Sequence, residues 1–257
     1  MKDCRQQWYD PDKKMAVTFV DVTSAAQELA RAHLSGPVSA RYLTEALAAA
    51  ALLGAEISDG KEVVSVQMKC TGPLGGYNVE CAADGALRGY TERKTLEEFD
   101  SLGEVDERKV IGERRIQVTR SVPGRIVSQG ISNSFDGYLA GSLQRRAVMR
   151  LSAAVNSDVE VLEARGVLVE ALPDSAEPVS QYEPEGISAE PGAVLASIGL
   201  DKAELKSSLP LRFACRCSPA RAAEVLAASA AADGEDLPDA IDVTCHMCGR
   251  TFTVRTK

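Results

Sequence analysis

The sequence lacks a hydrophobic run long enough to cross a membrane. Its longest apolar stretch, 46–55, lies between two glutamates and falls far short of the roughly 20 residues that span a bilayer. The N-terminus also lacks the apolar core of a secretory signal peptide. We therefore predict an intracellular, cytoplasmic protein without a membrane partner, or an organellar one whose targeting peptide has been removed.

An excess of positive charge is missing as well. The chain has 29 lysines and arginines against 37 acidic residues, which gives a formal net charge of -8. Because such a surface does not attract phosphate backbones, we expect no nucleic-acid partner. The hydrophobic content of 45% over 257 residues is enough for one sizeable core and a small appendage.

A catalytic constellation is also absent from the sequence. No nucleophile, base and orienting group can be recognised among His33, Ser142 and the stretch 88–90. Acidic pairs such as Glu97-Glu98 are typical of exposed charge, and no GxxxxGK loop is present to cradle a nucleotide phosphate. We therefore expect neither enzymatic activity nor use of ATP.

The periodicity of apolar residues predicts an α+β fold. A first helix is expected over 22–33, with Ser24 and Gln27 as a capping box. A second helix is expected to begin at Pro37 and to end before the turn Ser58-Asp59-Gly60. Period-two alternation then predicts a series of strands, joined in part by glycine-rich turns. The predicted strands are 64–70, 77–81, 115–122, 125–131, 147–155 and 166–171, with a further helix at 135–144.

Composition divides the chain into three regions. Region 1–172 is predicted to be an α+β core domain of mostly antiparallel sheet with packed helices. Region 173–210 contains five of the 11 prolines and seven acidic residues against two lysines, which predicts a flexible linker whose first half buries little apolar surface. Its second half, 192–209, is expected to form one or two short helices. Region 211–257 is predicted to be a small C-terminal zinc-binding module.

The strongest chemical signal is a pair of cysteine motifs near the C-terminus. Cys215 and Cys217 form C-x-C, and Cys245 and Cys248 form C-x-x-C. Four thiolates paired in this way suit one tetrahedral zinc ion that has no open position for a substrate, so the site is structural. The alternative, a thioredoxin-like redox pair with two bystanders, is disfavoured because no βαβ pattern surrounds it. His246 could replace a cysteine as a ligand, but we expect it on the surface.

The remaining cysteines are expected to have no part in this site. Cys70 and Cys81 fall on the apolar faces of neighbouring predicted strands, where free cysteines commonly act as small hydrophobic residues. Cys4 is predicted to be an exposed thiol without a fixed role.

The module from Cys215 to Lys257 is too small to fold on a hydrophobic core of its own. Ser218 and Pro219 are expected to start a helix, and Gly249 is expected to supply a left-handed turn between two short strands, 241–244 and 251–254. Zinc binding, which contributes about 10–16 kcal/mol in small zinc domains, would supply most of the folding free energy. Oxidation of the cysteines to disulfides would remove the ligands, so the sequence allows an oxidation-triggered unfolding switch.

These motifs resemble the redox-regulated heat-shock protein 33 family, the 33 kDa chaperonins. The resemblance covers most of the chain and is carried by FACRCS, VTCHMCG, GPLGGYNVECAADGALRGY and GVLVEALPD. It implies an ATP-independent holdase chaperone, with one zinc per chain in a reduced, inactive form. Oxidation of the four zinc-bound cysteines would then expose a linker and apolar surface that bind unfolding client proteins, commonly in an oxidised homodimer. The chain departs from the family in Leu143, where an acid is usual, and in a shorter, proline-richer middle segment.

A second hypothesis is a zinc-ribbon module that binds a protein or a nucleic acid. Its candidate contacts are Arg212, Arg216, Arg221, Arg250 and Arg255. The overall acidity and the lack of an aromatic stacking platform beside these arginines disfavour nucleic acid. Arginines in this arrangement are more often part of a solvated face.

Overall fold

A computed structural model describes residues 2–101, 105–233 and 238–255, with 231–233 described by their backbone alone. The helices of the described residues are α1 (Thr23–His33), α2 (Pro37–Leu53), α3 (Glu97–Asp100), α4 (Glu107–Val110), α5 (Phe135–Gly141), α6 (Pro191–Ser197) and α7 (Pro219–Asp233). The strands are β1 (Cys4–Asp10), β2 (Met15–Asp21), β3 (Val63–Cys70), β4 (Gly76–Ala82), β5 (Ala86–Thr91), β6 (Arg114–Val122), β7 (Arg125–Ser132), β8 (Arg146–Val155), β9 (Val161–Ala171), β10 (Glu204–Pro210), β11 (Arg212–Phe213), β12 (Ala240–Thr244) and β13 (Thr251–Arg255).

Two sheets pack against the central helix α2. One sheet has the strand order β10-β1-β2-β9-β8 and the other the order β11-β5-β4-β3-β6-β7. Nearly every side chain of α2 is buried, because its apolar residues extend around most of the helix and must be covered on those sides. Its many alanines let strands of both sheets approach it closely. The predicted α+β class, with mostly antiparallel sheet and packed helices, is confirmed.

The first strand was not predicted from the sequence. β1 has the polar sequence CRQQWYD and nevertheless lies between β2 and β10 in the five-stranded sheet. Cys4 is half-buried in this strand, so the expectation of an exposed terminal thiol is wrong. Local alternation could not reveal the strand, because its residues are mostly polar and it is shielded only by its pairing with β2 on one side and β10 on the other.

The predicted capping box of α1 is also wrong. Ser24 and Ala25 donate their backbone N–H groups to the carboxylate of Asp3, at 3.0 and 2.6 Å. Gln27 instead bonds the backbone of Val161 and Val159. A carboxylate from outside the helix therefore satisfies the first-turn amides that a local side chain usually caps.

The segment predicted as a flexible linker is folded onto the outer face of the five-stranded sheet. Tyr182 and Ile187 are buried beside the apolar side chains of β2 and β9, so the prediction that the first half buries little apolar surface is wrong. The predicted helix in the second half is present as α6. The residues 204–210 are a strand, β10, rather than a helix, because they complete the hydrogen bonds of β1.

The C-terminal module consists of α7 and the hairpin of β12 and β13. Ser218 caps α7, since its Oγ accepts the backbone N–H of Arg221 at 3.2 Å. Gly249 has the predicted left-handed conformation, with φ of 69°. Among the described residues, no helix is both long and apolar enough to cross a membrane.

Candidate metal centre

The four cysteines of the two motifs converge in the C-terminal module. All four Sγ atoms lie within 4.8 Å of one another, with 3.9 Å between Cys215 and Cys245 and 3.4 Å between Cys217 and Cys248. A tetrahedral zinc ion with Zn–S bonds of about 2.3 Å needs sulfur atoms about 3.8 Å apart. The donor set and its spacing therefore fit a closed Zn(Cys)4 site.

A tight turn places the second pair of cysteines. The carbonyl oxygen of Cys245 accepts the N–H groups of Cys248 and Gly249 at 3.3 and 2.9 Å, and the N–H of Cys245 bonds the carbonyl of Arg250. A side chain at Gly249 would place its Cβ 2.3 Å from the carbonyl oxygen of Ala32. Glycine is needed at this position because the backbone is left-handed and because the turn lies too close to the end of α1 to leave room for a side chain.

The first pair of cysteines follows a short strand of the large sheet. β11 pairs with β5, and this is the one parallel pair among the described strands. The N–H of Ala214 then bonds the carbonyl of Leu87 at 3.0 Å, so Cys215 leaves the sheet beside β5. Cys217 follows directly before the cap of α7.

A guanidinium group from the core reaches the cysteine cluster. Arg88, on β5, donates to Sγ of Cys215 at 3.6 Å and forms an ion pair with Glu80 at 2.6 Å. Glu80 also lies 3.6 Å from Arg216. Positive charge beside the sulfur atoms favours thiolates over thiols.

The thiols of the cluster have unequal pKa values. Burial opposes ionisation of Cys215, but the hydrogen bonds from Arg88 and from neighbouring cysteines outweigh it and lower its pKa to about 7. Burial and the neighbouring sulfur atoms raise the pKa of Cys217, and burial raises the pKa of Cys248. Four thiols this close cannot all ionise in the absence of a cation, whereas a bound metal ion deprotonates its thiol ligands.

The zinc-binding turn is docked on the core through β5 and α1. The N–H of Gly89 donates to the carbonyl of Met247 at 3.0 Å. His33 Nε2 donates to the carbonyl of the same glycine at 2.8 Å, and its ring is buried. Sequence reasoning missed the roles of Arg88, Gly89 and His33. The first two lie in the GALRGY motif, but no local pattern indicates what they contact.

His246 is exposed, as expected, and packs edge to face on Tyr90 with 5.8 Å between the ring centroids. It does not belong to the group of candidate metal ligands found among the described residues. Two of the arginines considered as partner contacts are engaged with the core instead, since Arg212 pairs with Asp84 at 2.5 Å and Arg216 with Glu80.

The two cysteines of the six-stranded sheet do not belong to the cluster. Cys81 is fully buried, with the guanidinium of Arg5 3.9 Å from its Sγ, and burial raises its pKa to about 11. Cys70 is half-buried and packs against the core. Their predicted place on the apolar faces of β3 and β4 is confirmed.

Comparisons with known proteins agree with this architecture. The family model described as Hsp33 protein matches residues 3–255. The chain is 27% identical over 272 residues to the 33 kDa chaperonin of Thermus thermophilus, covering 93% of this chain and 80% of the relative. It is 25% identical over 268 residues to the 33 kDa chaperonin of Bacillus licheniformis, covering 94% and 92%.

A solved structure has the same fold. The crystal structure of the 33 kDa chaperonin (heat shock protein 33 homolog) from Thermotoga maritima matches with a TM-score of 0.85 at 19% identity, covering 100% of this chain and 96% of the other. That likeness concerns the fold, while the family match over nearly the whole chain carries the assignment. The chain therefore belongs to the Hsp33 family, which is a family of chaperones and not of enzymes.

Proposed function

We propose that this protein is a redox-regulated, ATP-independent holdase that binds unfolding proteins after oxidation of Cys215, Cys217, Cys245 and Cys248. The observation that carries the proposal is the convergence of these four sulfur atoms within 4.8 Å of one another, in a small module docked on a larger core. Membership of a chaperone family supplies the client class, unfolding proteins. The cysteine cluster supplies the switch.

In the resting state the four thiolates would hold one zinc ion. Zinc would supply the folding free energy that the module's few apolar side chains cannot supply. Four thiolates and one divalent cation carry a net charge of -2, and Arg88 beside Cys215 offsets part of it. Because all four coordination positions come from the protein, the site stabilises the fold and has no place for a substrate.

Oxidation would remove the ligands in pairs. In each adjacent pair, two thiolates would lose two electrons and form one S–S bond, while one molecule of hydrogen peroxide takes up these electrons and two protons from the solvent and becomes two molecules of water. Disulfide sulfur atoms carry no charge and no longer bind the cation. The module would then lose its main source of stability and unfold from residue 211 onward, while the core domain, 1–172, would keep α2 and the strands β1 to β9.

The segment 173–210 would take part in this change. It packs on the five-stranded sheet with a small set of apolar side chains, among them Tyr182 and Ile187. Release of its part from about residue 191, whose apolar side chains belong to the same cluster, would expose apolar surface of β2 and β9 to clients. We further propose an oxidised homodimer, no nucleic-acid partner, and a cytoplasmic location, where thiols are kept reduced until stress.

Light scattering by a heat-labile protein tests this function. The reduced, zinc-loaded chain should leave its aggregation unchanged, and the peroxide-treated chain should suppress it without added nucleotide. The paired variant Cys217→Ser and Cys248→Ser should bind no zinc by metal analysis, whereas the matched variant Cys70→Ala and Cys81→Ala should keep one zinc per chain. Equal suppression by the reduced and the oxidised chain would contradict the switch.

Hydrogen exchange tests where the switch acts. After peroxide treatment, amides from about 191 to 255 should lose protection, while those of β3 and β4 should keep it. Loss of protection across the whole chain at once would instead mean global unfolding.

A further inference from the structure

The outer edge of β5 is occupied by the C-terminal part of the same chain. The carbonyls of Gly85 and Leu87 accept the N–H groups of Arg212 and Ala214, both at 3.0 Å, and the N–H of Gly89 donates to Met247. Three positions two residues apart thus form hydrogen bonds with the segment that would unfold on oxidation. Without these partners, β5 presents a row of edge groups that can pair with another strand.

An apolar contact accompanies these hydrogen bonds. Leu211 and Phe213 lie two residues apart in an extended segment and therefore point to one side. Leu211 is buried, Phe213 is half-buried, and both pack on the main core next to α1, while Arg212 between them is exposed. Departure of this segment leaves an apolar notch beside an open strand edge, which we call the β5 notch.

We propose that the β5 notch is a second client-binding site, separate from the apolar face of β2 and β9, and that residues 211–213 occupy it in place of a client. The inference rests on the proposed function. The client would be an extended segment with two apolar side chains separated by one residue, and it would add to β5 in the parallel direction that β11 has now. Unfolding proteins expose such segments, and folded proteins keep them in their own sheets.

Residues 211–213 are held partly by contacts that oxidation would remove. Their other contacts are with the core, between Arg212 and Asp84 and between the N–H of Leu211 and the carbonyl of Asp3. β11 has two residues, and the contacts of Arg88 with Cys215 and of Gly89 with Met247 fix the chain just beyond it. On the other side, six of the seven residues of β10 are exposed, with Leu209 half-buried. β10 is an edge strand that forms backbone hydrogen bonds with β1 but buries little apolar surface. It would therefore do little to hold residues 211–213 in place once the module has unfolded.

The opposite edge of the same sheet provides the contrast. β7 is the last strand there, and Ile126, Val127 and Ile131 on it are exposed in this structure. A client site on β7 would be open before oxidation, and the reduced chain would then bind clients as well. The β5 notch, in contrast, is covered by residues 211–213 in this structure. A chaperone that binds clients only after oxidation requires a site that is covered before oxidation.

A fluorescent peptide with the sequence of residues 208–215 and the change Cys215→Ser is the probe. Its fluorescence polarisation is measured with the full chain, reduced and zinc-loaded or peroxide-treated, and compared with a control peptide that also carries Leu211→Ser and Phe213→Ser. We expect binding to the oxidised chain at least about tenfold tighter than to the reduced chain, and at least about tenfold tighter than that of the control peptide, since two buried apolar side chains contribute the difference.

The full-length variant Leu211→Ser and Phe213→Ser gives a further expectation. Its own segment no longer competes for the notch, so after oxidation it should bind the peptide more tightly than the oxidised wild type does. Replacing Phe213 of the peptide by a benzophenone amino acid should cross-link it to 85–91 or to α1 of the oxidised wild-type chain, a readout that does not depend on the folding of the variant.

The same oxidised sample is assayed by light scattering, so two failures can be told apart. If it does not suppress aggregation, the proposed function fails. If it suppresses aggregation but does not distinguish the two peptides, or cross-links within 125–132, the holdase function stands and the β5 notch is overturned as a second client site.

Discussion

Replacement of Arg88 by glutamine should weaken zinc binding without touching a ligand. Arg88 donates to Sγ of Cys215 at 3.6 Å and is largely shielded from solvent, with 19% of its side chain exposed. A hydrogen bond from a charged group contributes about 1.5–3 kcal/mol. Because Arg88 is partly exposed and salt screens its charge, we expect the lower end of this range. The binding free energy of zinc should fall by about 1.5–2 kcal/mol, which weakens zinc affinity about 10- to 30-fold.

The matched control is Arg216→Gln. Arg216 belongs to the same network through Glu80 at 3.6 Å, but 55% of its side chain is exposed. Exposed ion pairs contribute at most about 1 kcal/mol, so the zinc affinity of this variant should fall by less than about fivefold. Arg88→Lys keeps the charge, although not the planar fork, and should recover part of the loss.

Competition with a chromogenic chelator on the reduced protein measures the zinc dissociation constant of each variant. The reasoning fails if Arg88→Gln lies within about twofold of the wild type, or if it equals Arg216→Gln. A loss that disappears in high salt would assign the effect to long-range charge rather than to the hydrogen bond with Cys215.

Three further predictions concern the core. The double variant Cys70→Ala and Cys81→Ala should keep peroxide activation in the light-scattering assay, because burial raises the pKa of Cys81 to about 11 and leaves little reactive thiolate; loss of activation with zinc retained would contradict this. Glu62→Gln should lower the free energy of unfolding at pH 7 by about 2–3 kcal/mol, since Glu62 is buried and bonds Arg120 at 2.5 Å. The hydrogen bond from Arg120 lowers the pKa of Glu62 below its ordinary value of 4.5. The stability that ionised Glu62 contributes is therefore fully present above pH 4.5 and is lost as the pH falls further. Urea unfolding of the wild type and of Glu62→Gln should show a smaller difference in the free energy of unfolding at about pH 4 than at about pH 7. Asp3→Ala should lower the free energy of unfolding by about 1–2 kcal/mol in the same assay, because it removes the cap of α1. If it lowers that free energy by less than the surface control Asp12→Ala does, Asp3 does not act as a stabilising cap.

The sequence was sufficient to predict those elements whose formation depends on residues close together in the chain. Period-two alternation placed β3, β4 and β6, because each of these strands buries one face against the core. β7 was also predicted, although its apolar side chains are exposed. The helix α2 could be predicted from its apolar residues and the proline at its start, whereas its burial on nearly all sides was not predicted. The two cysteine motifs also indicated their own convergence, because C-x-C and C-x-x-C spacing matches the geometry of a single metal ion.

Contacts between distant residues were decided by the tertiary structure. Asp3 caps α1 from 21 residues away, and β10 turns a polar N-terminal segment into an inner strand. The apolar residues of 173–200 are too sparse to predict a packed segment on their own, yet they match an apolar face that exists only once β2 and β9 are paired.

The sequence by itself therefore determined the fold class, the central helix and the four cysteines that gather in one cluster. Only the tertiary structure decided how that cluster is held on the core, because Arg88 reaches Cys215 across 127 residues of chain, and no periodicity records a contact at that separation. The same holds for the edge of β5, whose partners Arg212, Ala214 and Met247 come from the far end of the chain. A strand edge carries the same backbone groups in every sequence, so what covers it depends on the folded chain as a whole.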